Sequence, residues 1–343
     1  MSNFLTINEE ESLTGFTLRQ EFIFTSGVTN SLLKIIGGDR KALNFPKKVE
    51  FTGLQNKTMV EVLSMHTVYP LLKYTSDYHL KTELIDIFIH GYSEQRRALE
   101  KQLFQYAELR YCPKCFIDQL RQYGFCWLLR VWQAPLVTAC HIHNIKLCKY
   151  SCDCIDGPFA TKNFLVGLFT GSCPECHCNT WTEAYCKSSL SERRTAKWMS
   201  EILMYPPIHL SRAVNLSLVL DFIEKSGINH LSKKEQLDFL TKKCAKQQKS
   251  LNEEYLHKQI KAIVNSFKLP LDSKIFYSLA ISTFKSASDF YSHINSCGSV
   301  GYLNIKKHDE HFKENKQVTL VDEDYIQDIK PDDMNDNWIR LII

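Results

Sequence analysis

The chain has 343 residues, 44% of them apolar and 23% charged, and its 42 basic and 38 acidic residues leave a formal charge of +4. These are values of a folded chain with room for one large domain or two to three ordinary ones. They exclude a disordered polymer, and the mild positive excess is compatible with nucleic acid without arguing for it. No 18-residue apolar run exists, and the N-terminus MSNFLTINEEES lacks a basic start followed by an apolar stretch, so the expectation is a cytoplasmic protein with no membrane span or secretory signal.

Residues 1–108 read as a helical N-terminal domain. Asn8 and Glu11 resemble a capping box, in which each side chain bonds a free amide at a helix start. Leu13, Phe16 and Ile23 then give an apolar face, and Gly27 is a stop. Further helices are predicted over Asn30–Ile36, ended by Gly37-Gly38, over Thr58–Leu72 and over Tyr78–Ile89.

Residues 109–187 change character. Cys, Gly, Pro and aromatics rise and the helical period fades, which predicts short strands and knuckle turns. Eleven of the thirteen cysteines fall between Cys112 and Cys186, and in a reducing compartment such crowding calls for metal, not disulfides. Cys112-Pro-Lys-Cys115 is followed after 24 residues by Cys140-His-Ile-His143. A C-x-x-C turn aims two sulfurs at one point, and two such half-sites complete the tetrahedron that zinc takes. His141 competes with His143, but the C-x-x-H spacing matches the facing turn and selects His143. Cys152-Asp-Cys154 is followed after 18 residues by Cys173-Pro-Glu-Cys176; Cys148 and Cys178 compete for ligand places but, undecided, lean to non-ligand roles. Cys126, Cys244 and Cys297 read as small buried apolar residues, and Cys186 stays unassigned. Four filled ligand places leave no open position for water or substrate, so both zinc ions are expected to be structural. Between the half-sites, Phe125, Trp127 and Trp132 have the chemistry to stack on bases, though aromatics in such a place more often pad a zinc cluster.

Residues 188–343 return to the helical period. Leu216, Val219, Leu220 and Ile223 form one stripe, and Leu256, Ile260, Ile263, Val264 and Phe267 another, with Pro206-Pro207 breaking the chain before them. Ser232–Lys268 holds nine Lys against four acids, and Asp309–Asp336 three Lys against ten acids. A solvated helix face and an acidic tail explain this; a basic surface for nucleic acid beside an acidic surface for a protein is the sharper reading. There is no phosphate-cradling glycine loop, no H-E-x-x-H and no G-x-S-x-G. Carboxylates such as Asp86 and Asp118 have no spacing that supports a nuclease.

The run Arg110-Tyr-Cys112-Pro-Lys-Cys115, then Gly124, Trp132-Gln133, Cys140-His-Ile-His143-Asn144, Leu147, Cys152 and Cys154, resembles the TniQ/TnsD family. Glu11-Ser12-Leu13 with Arg19 and Gly27 is similar to that family's N-terminal helix. The resemblance implies a non-catalytic target-selection adaptor for DNA transposition. It would act as a head-to-tail homodimer and link an RNA-guided CRISPR effector complex, with its guide RNA, to an AAA+ transposition regulator. The alternative is a sequence-specific DNA-binding selector of the target site. A late helix-turn-helix is expected, and the best candidate, Ser286–Leu303 with Ala287, Phe290, Ile294 and Gly298, contains no Arg or Lys. Recognition helices need cations for phosphates, so this element is a degenerate one, and an adaptor docked on protein is favoured over a direct reader of DNA.

The expected fold is therefore mainly α with small β: a helical domain over 1–108, a tandem zinc-ribbon or zinc-finger domain over 109–187 and a helical domain over 188–343. One Zn2+ is assigned to Cys112, Cys115, Cys140 and His143, and a second to Cys152, Cys154, Cys173 and Cys176.

Overall fold

The computed structural model describes residues 6–24, 59–74, 109–150, 152, 154, 160–181, 186–205, 212–247, 251–266 and 272–296. The expected features at Gly27, Asn30–Ile36, Gly37-Gly38, Tyr78–Ile89, Asp86, Pro206-Pro207, Phe267, Cys297, Gly298 and Asp309–Asp336 lie outside these residues. What is described is mostly helical with very little strand. It divides into two compact units, one of Met1–Pro207 with Leu271–Ile281 and one of Ile208–Pro270 with Ser282–Ile343.

The first unit opens with α1 (Leu13–Phe24). The Asn8–Glu11 pairing forms, with the Asn8 amide donating to Glu11 Oε2 at 2.9 Å, but it closes a turn ahead of the helix instead of capping it. Ser12 caps α1, its Oγ accepting from the Gly15 amide at 2.9 Å. Glu11 has a second partner, since Arg19 Nε and Nη2 grip its two oxygens at 2.9 and 2.7 Å, with both side chains buried. Arg19 also lies over the Phe125 ring, 4.9 Å from its centroid. Leu13 and Phe16 are buried as expected, whereas Ile23 is exposed. The segment before α1 runs antiparallel to residues 128–130, with Ser12 N–H donating to Leu128 O at 2.7 Å and Arg130 N–H to Glu10 O at 2.9 Å.

The helix expected over Thr58–Leu72 is two helices, α2 (Met59–His66) and α3 (Tyr69–Lys73). The segment expected to hold only short strands and turns contains α4 (Pro113–Tyr123) and α5 (Ala160–Thr170), a 3-10 turn over Arg130–Gln133, and, among the described residues, one two-residue ladder of β1 (Arg110–Tyr111) on β2 (Cys148–Lys149). Helix α4 follows rules that the crowded composition hides. Cys112 is its N-cap in extended backbone, and Pro113 sits in the first turn, where its missing N–H costs nothing. Cys115, Phe116 and Gln119 form the buried face. Gly124, at φ 78°, ends the helix in the left-handed region that a glycine enters freely. Phe116 stacks on Tyr111 at 5.2 Å and meets the edge of Trp132 at 5.9 Å.

Arg130 binds this unit together. Its Nη1 donates to Ser64 O at 2.6 Å and its Nη2 to Leu203 O at 2.7 Å, so one buried guanidinium joins α2, the middle segment and α6 (Leu190–Met204). Helix α6 begins with a capping box of Ser189 and Glu192. Its buried Trp198 meets Tyr277 of α10 (Ser273–Thr283), and Tyr277 donates to Leu71 O at 2.7 Å.

In the second unit, α7 (Arg212–Glu224) buries Leu218, Val219, Phe222 and Ile223. Of the expected stripe, Val219 and Ile223 are in the core, while Leu220 is half-buried. Helices α8 (Lys233–Gln247) and α9 (Glu253–Ser266) pack side by side through Leu237, Leu240 and Cys244 on one and Leu256, Ile260, Ile263 and Val264 on the other. The second of these faces is the expected one. Residues 287–296 are helical and bury Ala287, Phe290 and Ile294.

Candidate metal centres

Cys112 stands at the N-cap of α4 and Cys115 in its first turn, so a helix start aims both sulfurs at one point. The facing half-site is a knuckle. The Cys140 amide donates to Ile145 O at 2.8 Å, the Asn144 amide to Cys140 O at 3.0 Å, and the His143 amide to Cys140 Sγ at 3.4 Å. Asn144, at φ 56°, supplies the left-handed residue that turns the chain. The four donor atoms lie within 4.8 Å of one another. His143 Nδ1 is 3.2 Å from Cys115 Sγ, 3.5 Å from Cys112 Sγ and 3.8 Å from Cys140 Sγ, and Cys115 and Cys140 sulfurs are 3.6 Å apart.

A tetrahedron with zinc–sulfur bonds of about 2.3 Å and zinc–nitrogen bonds of about 2.0 Å has edges of roughly 3.8 Å between sulfurs and 3.5 Å between sulfur and nitrogen. The observed separations are those edges, and they are far longer than a disulfide bond of about 2.05 Å. The donor set therefore fits zinc. The thiols of Cys112 and Cys115 and the amides of His143 and Ile142 hold the Cys140 thiol below its usual range, while contact with Cys112 and Cys140 pushes the Cys115 thiol up. Cys112, Cys115 and Cys140 are buried and His143 is half-buried.

The other nitrogen of His143 has a partner of its own. Nε2 lies 2.9 Å from Asp118 Oδ2, and a carboxylate there fixes the ring and its tautomer with Nδ1 free for a metal. Asp118 had no role in the sequence reading beyond a weak nuclease suggestion. It stands one helical turn past Cys115, so a helix assigned to residues 113–123 would have placed it beside the ligand face. His141 lies outside the cluster, and its Nδ1 is buried without a hydrogen-bond partner.

The second cluster brings together Cys152, Cys154, Cys173 and Cys176, again with donors within 4.8 Å. Cys173 begins a knuckle of the same pattern as the first. The Cys173 amide donates to Cys178 O at 3.0 Å, the His177 amide to Cys173 O at 3.0 Å, and His177 has φ 58°. Cys152 and Cys173 are buried, Cys154 is half-buried and Cys176 is exposed. The Cys176 thiol is held down to about 6, chiefly by the backbone amide of Cys178. Cys178 Sγ lies 3.5 Å from Cys152 Sγ, as close as Cys176 Sγ does.

The remaining cysteines have other places. Cys126 bonds Phe169 O, and burial pushes its thiol up to about 12, as it does for Cys244. Cys148 pairs with Tyr111 in the ladder, and Cys186 is exposed. Trp132 is fully buried against Phe116, so it packs and does not stack on bases; Phe125 and Trp127 are half-buried, 5.6 Å apart. Among the described residues no helix is long and apolar enough to cross a membrane.

Residues 4–147 match the TniQ family model. No curated protein matches the chain.

Proposed function

From the premise that the chain carries a TniQ domain over residues 4–147, we propose that it is a non-catalytic target-selection adaptor for DNA transposition that links an RNA-guided CRISPR effector complex to an AAA+ regulator. The TniQ domain supports the coarser part, a transposition-associated target-selection protein. The observation that carries the adaptor reading is the outer face of helix 287–296. Its exposed residues are Ser288, Asp289, Ser292, Asn295 and Ser296, none of them a cation for a phosphate backbone. Both metal clusters have at least four protein donors at coordinating distances. Zinc bound there supplies folding free energy and rigidity, and the surfaces so fixed are what partners would dock on. The protein is read as a head-to-tail homodimer in the cytoplasm.

Mixing the purified chain with a guide-RNA effector complex and with the regulator tests this reading. Co-elution with both, and a dimer mass by light scattering, is the expected result; elution as a separate species would overturn it. The second reading, direct recognition of a DNA site, is favoured by exposed Lys242 and Lys246 on α8 and Lys258 and Lys261 on α9. A salt-dependent gel shift on one site without guide RNA would place it first.

A further inference from the structure

Five sulfurs, not four, converge at the second cluster. The two knuckles share one backbone plan: a first cysteine, a donor three residues on, a left-handed residue after it, and a residue five past the first cysteine, this fifth position's carbonyl accepting from the first cysteine's amide. In the first knuckle that fifth position is Ile145, an apolar residue only 4% exposed that seals the turn. In the second it is Cys178, and its sulfur reaches Cys152 at 3.5 Å. A sealing residue in this place needs no sulfur, as Ile145 demonstrates, and a half-buried thiol turned toward another thiol is poor sealing.

We propose that Cys178 is a fifth donor of the second site, interchangeable with Cys154 in closing the tetrahedron. The inference rests on the zinc reading of this cluster. Cys173 and Cys176 are held by the knuckle, and Cys152 is buried in contact with both Cys176 and Cys178. Cys154 and Cys178 are the two half-buried donors left for one vertex. Exchange conserves atoms and charge: as the Cys178 sulfur bonds the metal it gives up its proton, and the departing Cys154 sulfur takes that proton. Nothing is oxidised or reduced. Among the described residues the first site has no such reserve, since its group holds four donors and His141 is not one of them. The second site would therefore exchange one donor for another by an associative path while its metal stays bound.

The test is metal content of the full-length chain by elemental analysis, with cobalt spectra beside it. Cys154→Ser and Cys178→Ser should each retain two metal ions per chain, with cobalt–thiolate charge-transfer bands as intense as the parent's. The double substitution should lose one ion and keep the mixed sulfur–nitrogen cobalt spectrum of the first site, which also reports that the chain has folded. Loss of one ion from either single substitution, or retention of both by the double, would overturn the proposal. A parent chain holding fewer than two ions would instead sink the zinc reading itself.

Discussion

Asp118 carries the sharpest consequence at the scale of single residues. Its carboxylate holds His143 Nε2 at 2.9 Å while Nδ1 faces three sulfurs. Such outer partners typically contribute about 10–100-fold in metal affinity. Asp118→Ala should therefore weaken the first site by about that factor in a competitive chelator titration and leave the second site unchanged. Equal weakening of both sites would show that the contact is incidental. The residue escaped the sequence reading because a lone aspartate becomes meaningful only once residues 113–123 are known to be helical.

Glu11 and Arg19 make a different argument. Burial pushes the Glu11 carboxyl above its ordinary range, and Arg19 pulls it back only in part. A raised carboxyl pKa means the folded chain holds the proton more firmly than the unfolded one. The contribution is thus favourable at low pH and is lost as pH rises through the folded value. The pair positions α1 against Phe125 more than it stabilises the fold. Replacing Glu11 alone, as in Glu11→Leu, strands a buried guanidinium and should destabilise by about 3–5 kcal/mol in urea unfolding. The double substitution Glu11→Leu with Arg19→Met should cost less than that single one, and a double that costs the sum of both singles would contradict the account.

Among the elements, the two knuckles were legible and the helices of the same segment were not. A C-x-x-C or C-x-x-H spacing encodes a turn directly, so Cys140–His143 and Cys173–Cys176 stood out from the chain. Helix α4 carried equally good signals, with Pro113 at its start, Cys115, Phe116 and Gln119 on one face and Gly124 at its end. Crowded cysteines and aromatics drew the reading toward strands instead. The Asn8–Glu11 motif was recognised but misplaced by one turn, because a capping box and a closed turn before a helix use the same residues. Stripe positions in α9 were read correctly, while in α7 the buried Leu218 and Phe222 were missed and Leu220 is only half-buried. In α7 the apolar residues run consecutively from Leu218 to Leu220, which offers no sharp boundary to its buried face. Docking of α1 is testable at this scale. A Cβ on Gly15 would stand 2.7 Å from Leu128 Cβ and 2.8 Å from Ser12 Oγ. Gly15→Ala should cost about 1–3 kcal/mol through this overpacking, read as a lowered denaturation midpoint, and a neutral substitution would place α1 elsewhere.

For the whole molecule, unit 1 draws residues from before, within and after the cysteine-rich segment. Arg130 and the antiparallel contact of residues 10–12 with 128–130 make the middle segment the hub of that unit. Loss of the first metal should therefore spread beyond its own loop. Cys115→Ser should remove one ion and lower protection of α1 and α6 in hydrogen exchange together. Retained exchange protection without the ion would separate the metal from the fold.

The most direct measurement is the zinc content of the cleanly purified chain, read together with its reactive thiols under native conditions. Two zinc ions per polypeptide, with the cluster cysteines shielded from a thiol reagent until a chelator is added, is the predicted result. Far fewer than two, with those thiols free from the start, would contradict the account.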